Sequence, residues 1–209
     1  FLKMCDMGEY EKSEKYLKRL LGNLPNDHKD ISKIHFDLGR VCYLRGDYNL
    51  ALDFYTNVLR LQKQEICPDE NSFDIARTLH NIANIYFDQQ QISKALDFYQ
   101  RALTMKQFVL MSNPDHPSIS ATLNNMGIVY KQEGDYNKAL ICYSQALQIE
   151  QTTLSADNLD LADTYHNLCS LFYDQAQYDK ALEMAQAKFN ILKKNFNDNH
   201  EQIKKTRES

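Results

Sequence analysis

The sequence predicts an all-α fold, a right-handed superhelical α-solenoid built from antiparallel helix pairs. Three observations predict it. A motif returns every 42–44 residues, the apolar residues inside each copy have helical spacing, and the four prolines all lie between copies. The 209 residues are 43% apolar and 25% charged, which is an ordinary globular composition, so a buried core can form.

The repeated motif is clearest at residues 123–140, which read LNNMGIVYKQEGDYNKAL. Its larger part, residues 126–140, matches a segment 44 residues earlier, at 82–96, and another 44 residues before that, at 38–52. A further copy stands 42 residues later, at 168–182. Each copy contains an apolar stripe, a short polar turn and a second apolar stripe, so each repeat is predicted to form two helices.

Small residues recur where the two helices of a pair are expected to approach each other closely. A side chain three residues further along the first helix lies on nearly the same face and fills the space beside the gap. The small positions on the first helices are Gly39, Ala83, Gly127 and Cys169, and the close-packing positions on the second helices are Ala51, Ala95, Ala139 and Ala181.

The turn inside each repeat is predicted to need a left-handed residue after the first helix. Gly46 and Gly134 stand at this position, where glycine adopts the left-handed conformation at low cost. Gln90 and Ala176 replace glycine in the other two repeats. We therefore expect those two turns to be somewhat less stable.

The connectors between repeats carry signals for the start of a helix. Asp115 and His116 precede Pro117 and lie shortly before the small residue Gly127. Asp27 and His28 precede Gly39 of an earlier repeat by the same spacing. Either Asp115 or His116 is expected to cap the following helix, and proline is favoured in the first helical turn.

These residues resemble the tetratricopeptide repeat (TPR). The period of 42–44 residues is longer than that family's usual value of about 34. Together with the D-H-P connector at 115–117 and the L-N-N motif at 123–125, it is similar to the long-helix subclass found in kinesin light chains. The resemblance covers nearly the whole chain and implies a scaffold that binds other polypeptides.

We expect residues 1–209 to form a single array of such repeats. It would contain a partial repeat at 1–25, full repeats at about 26–68, 69–113, 114–156 and 157–198, and a partial repeat at 199–209. Because both ends stop inside a repeat, we interpret the chain as a fragment of a longer protein with adjacent repeats. A repeat without its neighbour exposes its apolar face, so residues 1–8 and 202–209 are expected to fray.

Candidate binding residues follow from the expected groove, which the first helices of such solenoids line. An asparagine amide both donates and accepts hydrogen bonds, so a row of asparagines can hold the backbone of an extended peptide. In the family the matching asparagines bind peptide backbones, which makes Asn81, Asn125 and Asn167 the leading candidates. The alternative is that they are surface residues or form hydrogen bonds within the array. The other predicted groove residues are Asp37, Arg40, Arg77, His80, Asn84, Asn124 and Lys131.

Charge is mixed along the expected groove. Lys33, Arg40 and Arg77 cluster toward its first half, while Asp163 and Asp174 lie in the last repeat. An acidic ligand segment would favour the first half by simple attraction. A solvated surface without a binding role explains the same pattern equally well.

Several classes of function are not indicated by the sequence. The six histidines form no H-E-x-x-H pattern, and no glycine-rich phosphate loop or G-x-S-x-G elbow is present, so we expect no enzyme activity, no metal site and no cofactor. The net charge of −4 disfavours nucleic acid as a partner. No apolar run reaches the roughly 18 residues of a membrane span. Five cysteines without a C-x-x-C pair indicate reduced thiols and a cytoplasmic location.

Two hypotheses about function remain. The leading one is a non-catalytic interaction scaffold that binds a linear peptide or a partner helix in its groove, with a cargo or adaptor role as in kinesin light chains. The alternative is a regulatory or targeting TPR module of a larger enzyme whose catalytic domain lies outside these residues.

Overall fold

The structure is a computed structural model, and it describes residues 9–25, 28, 30–64 and 72–195. Within these residues the chain forms nine α-helices and no strand. In chain order they are α1 (Tyr10–Gly22), α2 (Ile31–Arg45), α3 (Tyr48–Gln64), α4 (Ser72–Asp88), α5 (Ile92–Val109), α6 (Pro117–Gln132), α7 (Tyr136–Thr153), α8 (Leu159–Asp174) and α9 (Tyr178–Asn195).

The helices belong to two compact units, Phe1–Val109 and Leu110–Ser209. In the first unit α2 packs on α3 and α4 on α5, with α1 against α2; in the second unit α6 packs on α7 and α8 on α9. Neighbouring pairs also meet, because α3 contacts α4 and α7 contacts α8. The predicted all-α fold of stacked helix pairs is confirmed, whereas the division into a single array of numbered repeats stays a prediction.

In the pairs α2–α3 and α6–α7, a tyrosine ring packs directly on the predicted glycine. A Cβ atom added to Gly39 would lie 2.7 Å from Tyr55 Cε1, and one added to Gly127 would lie 2.5 Å from Tyr143 Cε1. Real Cβ atoms do not approach this closely, so glycine lets the tyrosine ring lie directly on the first helix. Tyr55 and Tyr143 are each only 1% exposed, which places both rings in the middle of their pairs.

The turn inside each repeat has the predicted left-handed residue. Gly46 and Gly134 have φ of 88° and 79°, and Gln90 and Ala176 take the same region at 60° and 56°. The same hydrogen-bond pattern closes all four turns: Asp135 N–H, for example, donates to Tyr130 O at 2.9 Å. This is the Schellman motif, which satisfies carbonyl groups at the helix end.

The helix starts confirm the expected capping. His116 Nδ1 accepts a hydrogen bond from Ser118 N at 3.1 Å, and Pro117 occupies the first turn of α6. In the next repeat Asn158 has this role for α8, since its Oδ1 accepts from Asp160 N at 2.8 Å. The predicted fraying of residues 1–8 and 202–209, and the thiols Cys5 and Cys67, lie outside the described residues.

Replacing Ala176 by glycine is expected to stabilise the protein. A non-glycine residue with positive φ is strained by its Cβ, and glycine removes that strain while adding some freedom to the unfolded chain. We expect a net gain of about 0.5–1 kcal/mol in the free energy of unfolding, measured by urea denaturation.

The matched control is Gly134→Ala, at the equivalent turn of the preceding repeat. A Cβ there would meet nothing within 4 Å, so its effect reports the backbone conformation alone. This variant should lose about 1 kcal/mol. Equal stability of Ala176→Gly and the parent protein would contradict the explanation.

Candidate functional site

The predicted site residues fall into the two units. Asn81, Asn84, His80 and Arg77 lie on α4, with Asp37 and Arg40 on α2. The second unit contains the remaining four: Asn124, Asn125 and Lys131 on α6 and Asn167 on α8. Each set is described within its own unit.

The second unit contains a half-open groove of about 410 Å³ bordered by α6, α7 and α8. It brings together three predicted residues, Asn124, Asn125 and Asn167. Ala121 and Ile128 from α6 add apolar surface. The remaining lining residues are Pro117, Ser120, Glu150, Asp160, Asp163 and His166.

The asparagines of this groove have different environments. Asn125 and Asn167 are half-buried and stand on facing helices. Asn124 donates from Nδ2 to Glu150 Oε1 at 3.0 Å and to Thr164 Oγ1 at 2.6 Å. Its amide nitrogen therefore ties α6 to α7 and α8, and its oxygen is buried, without a hydrogen-bond partner among the described residues.

Lys131 does not line this groove. Its ammonium donates to Ser170 Oγ at 2.5 Å and pairs with Asp174 Oδ2 at 3.1 Å, both on α8. These contacts connect the C-terminal ends of two successive first helices. Lys131 therefore contributes to the packing of the repeats in this structure.

In the first unit two predicted asparagines form hydrogen bonds with buried tyrosines. Asn81 Nδ2 donates to Tyr55 Oη at 3.3 Å, and Tyr99 Oη donates to Asn84 Oδ1 at 2.5 Å. Both amides are half-buried, so part of each still faces solvent. Asn81 and Asn84 thus each form one hydrogen bond within the array, as the alternative interpretation of these asparagines expects.

The charged candidates of the first unit gather around α2 and α4. Arg77 lies over the Phe36 ring, 4.3 Å from its centroid, and pairs with Asp74 at 3.5 Å. Asp37 is half-buried, and desolvation raises the pKa of its carboxyl group although Lys33, Arg40 and Arg77 oppose this. The surface therefore has an excess of positive charge around a poorly solvated carboxylate.

His80 is a packing residue on the Tyr99 ring. The two ring centroids are 5.4 Å apart in an edge-to-face arrangement. Burial, and secondarily the charge of Lys106, lowers the pKa of His80 to about 3. The imidazole is consequently neutral at physiological pH and adds no positive charge to the groove.

Sequence reasoning missed three buried polar residues on the second helices. Gln62, Lys106 and Glu150 are 7%, 3% and 1% exposed and stand 44 residues apart at equivalent positions. The sequence contains a signal for their burial. Each of them stands four residues after a core residue, Val58, Ala102 or Ala146, and residues four apart lie on the same face of a helix.

The described residues offer little support for reaction chemistry. They contain no group of three His, Cys, Asp or Glu side chains that could hold a metal ion. Cys42, Cys142 and Cys169 are free, and burial raises the pKa of all three thiols, that of Cys142 to about 11. Thiols with raised pKa are protonated at neutral pH and are poor nucleophiles.

Among the helices of the described residues, none combines the length and apolarity that crossing a bilayer requires.

A family model described as Tetratricopeptide repeat matches the chain in three overlapping stretches, residues 30–107, 74–151 and 118–194. A sequence search of curated proteins finds no match. The chain is similar in structure to BtubC (BKLC) from P. vanneervenii, with a TM-score of 0.75 and 20% identity, over 90% of this chain and 75% of that one.

Two further solved structures share the fold. One is the putative kinesin light chain TPR-like repeats of Podosopora anserina, with a TM-score of 0.70 and 18% identity over 93% of this chain and 92% of that one. The other is the Rap conjugation gene regulator of plasmid pLS20 in complex with the Phr* peptide. It has a TM-score of 0.74 and 17% identity, and the match covers 98% of this chain and 54% of that chain.

Replacing the buried Lys106 by methionine should stabilise the protein at neutral pH. Burial is the main cause that lowers the pKa of this amine from 10.5 to about 8, so below pH 8 the folded protein must desolvate an ammonium. The difference between these two pKa values corresponds to about 3–4 kcal/mol.

The gain should depend on pH in a defined direction. Between pH 8 and 10.5 the folded chain binds fewer protons than the unfolded chain, so the parent protein gains stability as pH rises. Urea denaturation should therefore show a large advantage of Lys106→Met at pH 7 and a small one at pH 10. The exposed Lys193→Met serves as the control, and an advantage of Lys106→Met that is the same at both pH values would refute this account.

Proposed function

The chain belongs to the tetratricopeptide repeat family, and from this premise we propose that it is a non-catalytic scaffold that binds another polypeptide. The ligand is an extended peptide or a partner helix held against the first helices of the repeats. A cargo or adaptor role fits the structural similarity to kinesin light chain repeats. The three free, protonated thiols fit a reducing, cytoplasmic location.

The groove of the second unit is the observation that carries this proposal. Asn125 from α6 and Asn167 from α8 both line a half-open space of about 410 Å³. Their amides offer donors and acceptors to a peptide backbone, and Ala121 and Ile128 offer apolar surface to its side chains. This is a binding surface with polar groups that fix orientation, and it lacks the enclosed geometry of a reaction site.

The charged residues of the first unit favour a ligand segment that is acidic. Lys33, Arg40 and Arg77 surround Asp37 closely enough to affect its pKa, and Arg77 is held in place over Phe36. An acidic ligand residue near this cluster would gain from its net positive charge.

The structure of the Rap regulator, solved with a bound peptide, is a precedent for peptide binding by a protein of this fold. The match covers only 54% of that regulator, so a comparable stack of helices forms part of a longer regulatory chain there. This favours, as a second candidate, a regulatory or targeting module within a larger protein.

Removing the two groove amides should abolish most peptide binding. Peptides would first be selected with the full 209-residue chain from a random library displayed on phage. Each lost hydrogen bond contributes about 1 kcal/mol, so the double variant Asn125→Ala/Asn167→Ala should weaken a selected peptide at least about tenfold by fluorescence anisotropy.

The control carries two substitutions at exposed positions of α7, Ser144→Ala and Gln145→Ala, outside the groove lining. It should bind the selected peptide as the parent does, and both double variants should keep the helical circular dichroism spectrum. Unchanged affinity of the Asn125→Ala/Asn167→Ala protein would exclude this groove as the site. Failure to select any peptide would reject the scaffold hypothesis itself.

A further inference from the structure

Glu150 is a buried carboxylate that borders the groove of the second unit. It lies near the C-terminal end of α7, is 1% exposed, and lines the space between α6 and α8. Acidic side chains are almost never fully buried without a partner, since desolvation disfavours their charged form.

Among the described residues, the two carboxylate oxygens of Glu150 differ in their hydrogen bonds. Oε1 accepts the hydrogen bond from Asn124 Nδ2 at 3.0 Å. Burial raises the pKa of the Glu150 carboxyl group, and side-chain hydrogen bonds from Thr164, Ser120 and Asn124 oppose this. The hydroxyl groups of Thr164 and Ser120 also lie within hydrogen-bond distance of backbone carbonyls, Asp160 O at 3.3 Å and Pro117 O at 2.9 Å. Among the residues that the structure describes, Oε2 has no hydrogen-bond partner.

A second unsatisfied acceptor borders the same groove. Within the described part of the chain, the buried Oδ1 atom of Asn124 also has no partner. Asn124 and Glu150 are already linked through Oε1, so the two unsatisfied oxygens belong to one hydrogen-bonded pair of side chains. A buried acceptor without a donor carries the full cost of desolvation, so the pair favours a ligand that donates N–H groups.

The surroundings of this pair are acidic. Asp160 and Asp163 line the groove as well. Lys188 donates to His166 Nδ1 at 3.3 Å, and Lys131 pairs with Asp174. Among the ion pairs of the described residues none includes Glu150. The groove is therefore bordered by acidic side chains, and the two acceptors without partners lie buried at its wall.

We propose that this groove binds a basic side chain of the peptide ligand, whose cationic head donates to Glu150 Oε2 and Asn124 Oδ1. The inference rests on the proposed function and names the chemistry of its ligand. Arginine is preferred to lysine, because its planar guanidinium has five N–H donors and is more weakly hydrated than an ammonium.

The predicted signature is a coupling between the ligand's charge and Glu150. A peptide selected as above would be resynthesised with its arginine replaced by citrulline, which has nearly the same shape without the charge, and separately by lysine. For the parent protein, citrulline should raise the Kd at least about tenfold and lysine by less. For Glu150→Gln, the arginine and citrulline peptides should differ by less than about twofold.

Two measurements separate this role from a structural one. Glu150→Gln removes a buried charge and keeps the shape, so the variant should be at least as stable as the parent toward urea while it loses the preference for arginine. Glu183→Gln is the matched control, since it makes the same chemical change at an exposed position of α9 outside the groove lining. It should change affinity by at most about twofold and keep the preference for arginine over citrulline.

The outcomes distinguish the two proposals. If peptides are selected but contain no basic residue, or if Glu150→Gln keeps the full difference between arginine and citrulline, the role of Glu150 is refuted and the scaffold stands. If no peptide is selected at all, both proposals fail together.

Discussion

In the pairs α2–α3 and α6–α7, the close contact between a glycine on the first helix and a tyrosine ring on the second sets how the two helices pack. At Gly39 and Gly127 the ring lies so near that even one methyl group would overlap it. This contact fixes the rotation of both helices about their axes, because any other rotation would place a side chain between them. The fixed rotation also determines which face of the helix pair is occupied by the residues next to the small position.

Groove residues follow from that fixed rotation. Asn125 precedes Gly127 by two residues, and Asn167 precedes the small residue Cys169 by the same interval. Both therefore border one space in the second unit. In the first unit Asn81 has the equivalent position and bonds the hydroxyl group of Tyr55, the same tyrosine whose ring lies on Gly39. The packing contact and the candidate binding surface thus share their residues.

Buried polar groups distinguish one repeat from the next. The equivalent position on the second helices is occupied by Gln62, Lys106, Glu150 and finally Leu192, all at most 7% exposed. An apolar side chain there, such as Leu192, avoids the desolvation of a buried charge. A repeat scaffold can therefore keep one backbone geometry while the buried group behind the surface changes from cationic to anionic. If the groove binds as proposed, such a change would give local selectivity at the expense of stability.

The sequence by itself determined the helix pairs, their turns and their order. Local rules act at these positions: the 42–44-residue period, the prolines between repeats and the left-handed turn positions at Gly46 and Gly134 are all visible in the chain. It also identified Asn125 and Asn167 as neighbours, because equal positions in successive repeats face the same side.

Only the tertiary structure decided which of the candidate side chains are already engaged. Lys131 pairs with Asp174 across 43 positions of the chain, and Asn124 meets Glu150 across 26. The period alone cannot show such contacts, since they depend on the side-chain directions of two helices that meet only after packing. For the same reason, the sequence places Lys106 and Glu150 on a core face of their helices, but the packed neighbours decide that they are almost fully buried.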